Sequence, residues 1–399
     1  MNPESNQVSK FYIYYFLNFI LALLSFLIPK KNNQILIGSH LFIGNPKHFY
    51  LYLSKNRKLE CKSLWITMNR KIFSKLKNEG LPVVYLYSLR GFLAILRSKY
   101  LLFSHDVRTV SYFRWLPGKF NKVQLWHGVA TKGFGEPSLN KKVPMNKRLL
   151  QQLLFRDRKS YHTIITCSKK SKKRDVNLFQ NNNVVIMGYP RNDIFFDRTR
   201  VFDELSNRFN LNRYEKVILY CPTWRENAAG RNIGTKVPFS VDFLKKLNDF
   251  LKNKNYIMLM KKHDSEIGKC FDIPNFSNIL NVSKDVDIQE LLINVDMIIT
   301  DYSSVFKDYC LTGRPMIFYL FDYEEYTKGK DNLYTDYFSD VPGPLAMKEE
   351  DLLNCLMNID TITSDLTYKK KYEQLIIDNH YYKDGKSSER LYNYLFKNS

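Results

Sequence analysis

The sequence predicts an α/β protein built from two doubly wound, Rossmann-like parallel sheets. Short aliphatic runs of strand length alternate with basic or amphipathic segments of helical length, which is the pattern of parallel strands joined by helices. The runs form two series, and a chain of 399 residues is long enough for about two domains. An apolar run near the amino terminus precedes both series and predicts an N-terminal hydrophobic helix.

Seven runs make up the first series and five the second. Those of the first series are QILIGSH (34–40), SLWITM (63–68), LPVVYLYS (81–88), YLLFSH (100–105), NKVQLWHG (121–128), YHTIITCS (161–168) and NVVIMGYP (183–190). Those of the second series are EKVILYCPTW (215–224), YIMLMKKH (256–263), SNILNVS (277–283), VDMIITD (295–301) and RPMIFYL (314–320).

Segments between the runs set the expected domain bounds. The segment 195–215 is predicted to be a helical connection, and 240–254 a helix with Ser240 as its N-cap. We therefore expect a membrane-associating segment 1–31, a first domain 32–205 and a second domain 206–399. The two domains are expected to face a cleft, with ligands beyond the carboxyl ends of the strands.

The apolar run at 11–29 predicts contact with a membrane. Only Asn18 and Ser25 interrupt it as polar residues, and about 20 apolar residues suffice to span a bilayer as a helix. Whether the segment spans the membrane or lies on it stays open, as do a buried core helix and a cleaved signal peptide. The many Lys and Arg residues of the body favour the cytoplasmic face of the cell membrane.

The charge balance predicts anionic partners. Lys plus Arg number 61 and Asp plus Glu 39, for a net charge of +22. The stretch 141–175 carries twelve Lys or Arg against two Asp, which favours an anionic lipid surface. A nucleic-acid-binding protein is the alternative from another class, but the sequence has no zinc finger, RNP1 pattern or KH-type loop. Ordinary composition, 44% hydrophobic and 25% charged, argues against disorder, collagen and solenoids.

Neither a metal site nor a cofactor is expected. No two of the six cysteines form a C-x-x-C pair, which excludes zinc ribbons and thioredoxin-like motifs, and scattered thiols are typical of a reducing compartment. The pair Asp285 and Asp287 is spaced like a metal-binding D-x-D, but its place before an amphipathic segment predicts a helix cap. The nucleotide fingerprints G-x-G-x-x-G and the P-loop are absent.

Polar residues follow predicted strands at three places. His127 and Gly128 end a strand of the first series, where a histidine is placed for general acid–base chemistry, the alternative being a structural histidine. Lys262 and His263 end a strand of the second series and suit a phosphate, the alternative being a solvated loop.

The third place is the stretch MIITDYSSVFKDYCLTGRP (297–315). Its strand ends at Asp301, and Ser303 and Ser304 begin a predicted short helix that ends at Gly313. An exposed helix start with two hydroxyl groups suits a phosphate, and an ordinary capped helix is the alternative.

Taken in order, these motifs resemble the CDP-glycerol glycerophosphotransferase family of teichoic acid synthesis. The matching motifs are GNPKHFYLYL (44–53), WITMN (65–69), WHG (126–128), GYPRND (188–193), CPTWRE (221–226), KKH (261–263), DIQELLINVDMIITDYSSVFKDY (287–309), RPMIFYLFDYEEY (314–326) and VPGP (341–344). One departure is TKGKDNLYTDY (327–337), where family members usually carry an Arg-Gly pair, and Lys328 and Lys330 are the candidate substitutes for that arginine.

The resemblance implies a fold of the GT-B type and a transferase. Glycerol phosphate would pass from CDP-glycerol to a hydroxyl of an undecaprenyl-diphosphate-linked acceptor at the membrane surface, with release of CMP. A CDP-ribitol-dependent enzyme, a capsule polymer transferase and a nucleotide-sugar transferase of the same fold remain alternatives. No nucleic acid is expected as a partner.

The resemblance also implies roles for single residues. His127 corresponds to the catalytic base, and His263 to a second catalytic histidine at the donor phosphates. The residues assigned to substrate binding are Gly128, Arg191, Asn192, Asp193, Thr223, Lys262, Asp301, Ser303 and Ser304.

Overall fold

The computed structural model describes most of the chain. The described residues are 16, 19–56, 58–111, 118–131, 157–197, 203–225, 237–263, 270–283, 286–327 and 335–397. The chain divides into two compact units. The first comprises Met1–His127, Gly135–Asp193 and Asp384–Ser399, and the second Gly128–Phe134 and Ile194–Lys383.

The first unit contains a seven-stranded parallel sheet in the order β3-β2-β1-β4-β5-β6-β7. Its strands are β1 (Lys31–Gly38), β2 (Lys62–Thr67), β3 (Val83–Tyr85), β4 (Ser98–Phe103), β5 (Asn121–Gln124), β6 (Thr163–Thr166) and β7 (Val184–Ile186). Its helices include α1 (19–27), α2 (Gly44–Lys55), α3 (Arg70–Asn78), α4 (Leu89–Arg97) and α5 (Lys169–Phe179). Central residues such as Ile35, Ile37 and Leu101 are fully buried, as expected for strands covered on both faces.

The second unit contains a six-stranded parallel sheet in the order β10-β9-β8-β11-β12-β13. Its strands are β8 (Lys216–Tyr220), β9 (Tyr256–Lys261), β10 (Ile279–Val282), β11 (Met297–Thr300), β12 (Met316–Tyr319) and β13 (Leu345–Ala346). Its helices include α6 (Asp203–Phe209), α7 (Val241–Asn253), α8 (Ile288–Ile293), α9 (Val305–Tyr309), α10 (Tyr323–Thr327), α11 (Glu349–Met357), α12 (Ile359–Ser364) and α13 (Leu366–Asn379). Two clusters of buried apolar side chains form its core.

All twelve predicted strands are present, and several predicted helix ends are confirmed. The Ser240 hydroxyl accepts a hydrogen bond from the Phe243 N–H at 3.1 Å and caps α7. Asp287 caps α8 in the same way through the Gln289 N–H, as predicted for that carboxylate, whereas Asp285 lies outside the described residues. The two-residue strand β13 was not predicted, because so short a run has no recognisable period.

The expected domain bounds need a correction at the carboxyl terminus. Residues 206–399 were assigned wholly to the second domain, but the final helix, α14 (Ser387–Phe396), belongs to the first unit. Tyr100 of β4 donates a hydrogen bond to the Leu395 carbonyl at 2.6 Å, and the Arg390 guanidinium donates one to the Met187 carbonyl at 2.9 Å. These contacts join residues about 200 to 300 positions apart and leave no local signal in the sequence.

The N-terminal apolar run is only partly described. Residues 19–27 are helical, and within the described ranges no helix has the length and apolarity needed to cross a bilayer. Leu21 and Ser25 are buried, and the Ser25 hydroxyl accepts a hydrogen bond from the Lys119 N–H at 3.0 Å. One side of α1 therefore packs against the first unit. The rest of the predicted segment, residues 11–15, 17 and 18, lies outside the described residues.

Candidate active site

The order of the first sheet fixes where its ligand site can lie. The chain starts at β1, builds outward through β2 and β3, and then crosses back to place β4 on the other side of β1. Ligands of doubly wound sheets bind beyond the carboxyl ends of the strands at such a switch point. Histidines follow three adjacent strands there: His40 after β1, His105 after β4 and His127 after β5.

The backbone of β4 orients the ring of His127. The Nδ1 atom of His127 lies 3.2 Å from the carbonyl oxygen of Ser104. A carbonyl oxygen only accepts hydrogen bonds, so Nδ1 carries the hydrogen and Nε2 carries the lone pair of the neutral imidazole. This tautomer is the one that a general base acting through Nε2 requires.

The turn that carries His127 is strained and held from both sides. Trp126 adopts a left-handed backbone (φ 53°), which costs a non-glycine residue about 1–2 kcal/mol, and Gly128 follows at φ 141°. The Asn45 side chain donates hydrogen bonds to the Leu125 and Trp126 carbonyls at 2.8 and 3.0 Å. The Arg191 guanidinium donates one to the His127 carbonyl at 2.7 Å.

Three of the motifs found in the sequence thus meet in the first unit. Asn45 belongs to GNPKHFYLYL, Arg191 to GYPRND and His127 to WHG, and Asn45 also accepts a hydrogen bond from the Arg191 N–H at 3.2 Å. For Arg191 the structure shows a contact with the backbone of the turn that carries His127. Its predicted contact with substrate stays a prediction.

Asp193 and Asn192 are also predicted to bind substrate, but Asp193 is half-buried against the final helix α14 and Asn192 is buried. The Asp193 carboxylate accepts hydrogen bonds from the Ser387 and Ser388 N–H groups, both at 2.8 Å. Burial raises the pKa of this carboxyl group, and the N–H donors of the helix oppose the rise. Both oxygens of Asp193 are engaged in capping α14, which favours a structural role. Asn192 is 4% exposed and gives its N–H to the Tyr189 carbonyl.

The second sheet has its switch point between β8 and β11. Thr223 follows β8 and Asp301 follows β11, and the Thr223 N–H donates a hydrogen bond to an Asp301 carboxylate oxygen at 2.7 Å. Arg225 donates a hydrogen bond to the other oxygen at 2.8 Å. Asp301 is 1% exposed, so this carboxylate fixes the two strand ends together, and its predicted substrate contact stays a prediction.

Ser303 and Ser304 are half-buried at the start of α9, between the buried Tyr302 and Val305. The Ser303 hydroxyl accepts a long hydrogen bond of 3.4 Å from the Val305 N–H, whereas the Ser304 side chain makes no capping bond. The predicted helix ends at Gly313, which adopts φ 73°, although only Val305–Tyr309 is α-helical before a 3₁₀ turn. Two hydroxyls at a strand end of a switch point suit an anion.

Lys262 and His263 follow β9, the strand on the other side of β8. Both side chains are half-buried, and the His263 ring lies 6.4 Å from that of Trp224. Lys262 Nζ lies 5.4 Å from the centre of the Phe271 ring. The sheet order therefore brings the ends of β9, β8 and β11 side by side, with the predicted phosphate contacts on the two outer strands of the three.

Arg225 is a site residue that sequence reasoning missed. It forms ion pairs with Asp301 at 2.8 Å and Asp322 at 2.7 Å, and it lies over the rings of Tyr302 and Tyr326. Burial opposes its charge, yet the two carboxylates outweigh burial and raise the pKa of the guanidinium. Its place in CPTWRE was visible, but the partner Asp322 lies 97 residues away. Lys328 and Lys330 lie outside the described residues.

No cluster of metal-binding character occurs in the described part of the chain, where no three His, Cys, Asp or Glu side chains are grouped so as to hold an ion. The chemistry that these side chains offer is proton transfer at His127 in the first unit and anion binding at Ser303, Ser304, Lys262 and His263 in the second.

Comparison with known proteins identifies the family. The model of the CDP-glycerol:poly(glycerophosphate) glycerophosphotransferase family matches residues 20–397. The chain belongs to this family. The predicted family and the prediction of a transferase are confirmed.

Similar proteins act in teichoic acid synthesis. The chain is 27% identical to the teichoic acid poly(glycerol phosphate) polymerase of Bacillus subtilis (strain 168), across 92% of this chain and 49% of that one. It is 26% identical to the teichoic acid glycerol-phosphate transferase of Staphylococcus aureus (strain NCTC 8325 / PS 47), across 93% and 95%. A teichoic acid poly(ribitol-phosphate) polymerase of Bacillus spizizenii (strain ATCC 23059 / NRRL B-14472 / W23) is 32% identical, across 67% and 42%. The chain thus spans about half the length of these two polymerases and nearly all of the glycerol-phosphate transferase.

The fold is shared with a solved structure. The wall teichoic acid polymerase TagF superimposes with a TM-score of 0.75 at 23% identity, covering 92% of this chain and 90% of that one. The predicted α/β architecture with parallel sheets, like that of TagF, is confirmed.

Proposed function

We propose that this chain transfers glycerol phosphate from CDP-glycerol to a hydroxyl of a lipid-linked acceptor and releases CMP. The product would be teichoic acid or a related cell-surface polymer. The observation that carries the proposal is the ring of His127, whose Nδ1 hydrogen is held by the Ser104 carbonyl at the switch point of the first sheet. Family membership and a solved TagF variant soaked with CDPG support the choice of donor.

In this mechanism Nε2 of His127 removes the proton from the acceptor hydroxyl as that oxygen attacks the β-phosphorus of the donor. An alcohol is a poor nucleophile, so proton removal must accompany the formation of the new P–O bond. The bond from phosphorus to the oxygen of CMP breaks, and negative charge develops on CMP. Hydroxyl and cationic groups fixed before the reaction stabilise such charge, which is the role proposed for Ser303, Ser304, Lys262 and His263.

The polyol of the donor needs a direct test, because the ribitol-phosphate polymerase is 32% identical over its aligned part and the two glycerol-phosphate enzymes are 27% and 26% identical over theirs. A panel of CDP-glycerol, CDP-ribitol and UDP-sugars, scored by release of CMP or UDP, tests the proposal. We expect CMP release from CDP-glycerol in the presence of an acceptor. Turnover of CDP-ribitol alone would show that the polyol of the donor is ribitol, and turnover of a UDP-sugar alone would contradict the proposal.

His127→Ala should lower turnover by about 10²–10⁴-fold, because the variant lacks the base. Binding of CDP-glycerol, measured by calorimetry, should be unchanged because the proposed donor contacts lie in the second unit. His162→Ala is the matched control, since His162 is an exposed histidine of the first unit. Retention of more than about a tenth of the wild-type rate by His127→Ala would contradict the assignment of the base.

We also propose that the enzyme works at the cytoplasmic face of the cell membrane, on an acceptor linked to undecaprenyl diphosphate. One side of α1 supports this, because Phe19 and Leu27 are 60% and 76% exposed and Leu23 and Phe26 are exposed as well. Near the amino ends of β1 and β4, a cavity of about 590 Å³ is lined by Lys58, Lys99 and Lys397 against one acid, Glu60, an excess of positive charge that suits an anionic surface. The basic stretch 141–175 is described only from residue 157 onward.

A further inference from the structure

The catalytic histidine proposed above is stacked on a second histidine that the sequence analysis did not single out. The rings of His105 and His127 lie with their centres 4.5 Å apart and their planes 7° from parallel. The ring of His40 meets His105 at 5.8 Å with an interplanar angle of 61°. The three residues follow β4, β5 and β1, which are neighbours in the sheet.

Ser104 binds both stacked rings. Its carbonyl oxygen accepts the hydrogen bond from Nδ1 of His127 at 3.2 Å, and its hydroxyl oxygen lies 2.9 Å from Nδ1 of His105. Each ring is therefore fixed at its Nδ1 edge by the same residue. The two planes are held parallel by atoms of a single strand end.

Gln124 locks this strand end to the turn that carries His127. Its side chain is fully buried, donates a hydrogen bond to the His105 carbonyl at 3.2 Å and accepts one from the Trp126 N–H at 3.0 Å. A shift of His105 relative to Trp126 would break at least one of these buried hydrogen bonds. Buried hydrogen bonds of the fold thus hold the stacked arrangement in place.

We infer that His105 is a positioning residue for His127, and this rests on the proposed role of His127 as the base. The hydrogen bond of 3.2 Å to the Ser104 carbonyl fixes one edge of the imidazole but by itself leaves the ring able to rotate about that edge, and the neighbouring Trp126 ring, 4.2 Å away, is tilted by 42° and not stacked on it. A flat ring stacked on its face removes this freedom and keeps Nε2 aimed in one direction. The stacking needs a flat ring at position 105 and not the acid–base chemistry of an imidazole.

Two variants separate these requirements. His105→Ala removes the stacked face, and we expect kcat to fall about 10- to 100-fold with the KM for CDP-glycerol unchanged, the size of effect that misplacement of a catalytic group produces. His105→Phe keeps a flat ring and should restore kcat to within about threefold of wild type. Thermal unfolding of both variants controls for loss of the fold.

A second readout does not depend on activity. In wild-type protein labelled with ¹⁵N-histidine, His127 should give separate signals for a protonated Nδ1 and an unprotonated Nε2. We expect these signals to merge or broaden in His105→Ala and to stay separate in His105→Phe, with His127→Ala used to assign them. This result would stand even if the donor panel failed, so failure of the proposed function is distinguishable from failure of the positioning role.

Two outcomes would overturn the inference. One is a His105→Ala variant with wild-type kcat and separate His127 signals. The other is a folded His105→Phe variant that is as slow as His105→Ala, since the imidazole chemistry of His105 would then be required.

Discussion

In the second unit, some polar side chains stabilise the fold through hydrogen bonds to each other, whereas others are proposed to bind the donor. Arg225 donates short hydrogen bonds to Asp301 and Asp322, and the Thr223 N–H donates one to Asp301. Ser303 and Ser304 are half-buried, the Ser303 hydroxyl accepts a long hydrogen bond of 3.4 Å from the Val305 N–H, and the Ser304 side chain does not cap the helix. A phosphate group accepting hydrogen bonds from both hydroxyls would gain charge-assisted bonds worth about 1.5–3 kcal/mol each.

Ser303→Ala combined with Ser304→Ala should therefore raise the Kd for CDP-glycerol by about tenfold or more. His263→Ala should also weaken donor binding, because His263 is proposed to contact the same phosphates. Calorimetry with CDP-glycerol measures both effects. Ser339→Ala combined with Ser364→Ala, two exposed serines of the same unit, is the matched control. Unchanged donor affinity in both test variants would show that the donor phosphates bind at other residues.

At the scale of elements, helix α14 shows how a distant part of the chain stabilises the first unit. The Asp193 carboxylate caps its first turn through the N–H groups of Ser387 and Ser388. Gly188 adopts φ 80°, and a Cβ at this position would lie 2.4 Å from the Ser387 hydroxyl oxygen, so only glycine allows this close approach. The GYPRND motif thus packs against the last helix and also contacts the turn at His127.

Asp193→Ala should lower the free energy of unfolding by about 1–2 kcal/mol, because two N–H groups at the start of α14 lose their acceptor. Urea unfolding measures the change. Glu389→Ala is the matched control, since Glu389 is an exposed acid in the first turn of the same helix, and its loss should cost less than about 1 kcal/mol. Equal stability of wild type and Asp193→Ala would show that the cap does not hold the helix in place.

At the scale of the whole molecule, the proposed membrane attachment would draw on two separate contributions, a net charge of +22 and an exposed apolar side of α1. Each cation near an anionic surface contributes about 1 kcal/mol at low salt and less at high salt. The apolar side chains contribute by burial, which salt does not screen. The two contributions can therefore be separated by substitution and by salt.

Replacing the exposed Phe19, Leu23 and Phe26 with serine should reduce sedimentation with anionic vesicles, most clearly at high salt, where the cations are screened. Activity on a short water-soluble acceptor should survive, since the buried Leu21 and Ser25 that pack α1 are unchanged. Leu366→Ser combined with Ile377→Ser, exposed apolar residues of α13, is the matched control. Removal of residues 1–31 should likewise weaken vesicle binding without abolishing it at low salt. An insoluble or inactive truncated chain would instead identify the segment as a core helix.

The local pattern of the sequence determined the strands, several helix caps and the residues placed at strand ends. Aliphatic runs predicted all twelve longer strands, Ser240 and Asp287 were predicted as caps, and His127 and Ser303 were placed after the strands that they do follow. These features depend on neighbours within a few residues, so side-chain period and capping chemistry are enough to reveal them.

Only the tertiary structure decided which strand ends meet and which side chains they pair. His105 stacks on His127 because the order of the sheet places their strands side by side. The hydrogen bond from Asn45 to the Leu125 carbonyl joins residues 80 positions apart, and the one from Ser387 of α14 to Asp193 joins residues 194 positions apart. The same alternation of strands and helices is compatible with several strand orders. Burial and hydrogen bonding across the whole fold select one of them, and with it the partners of each site residue.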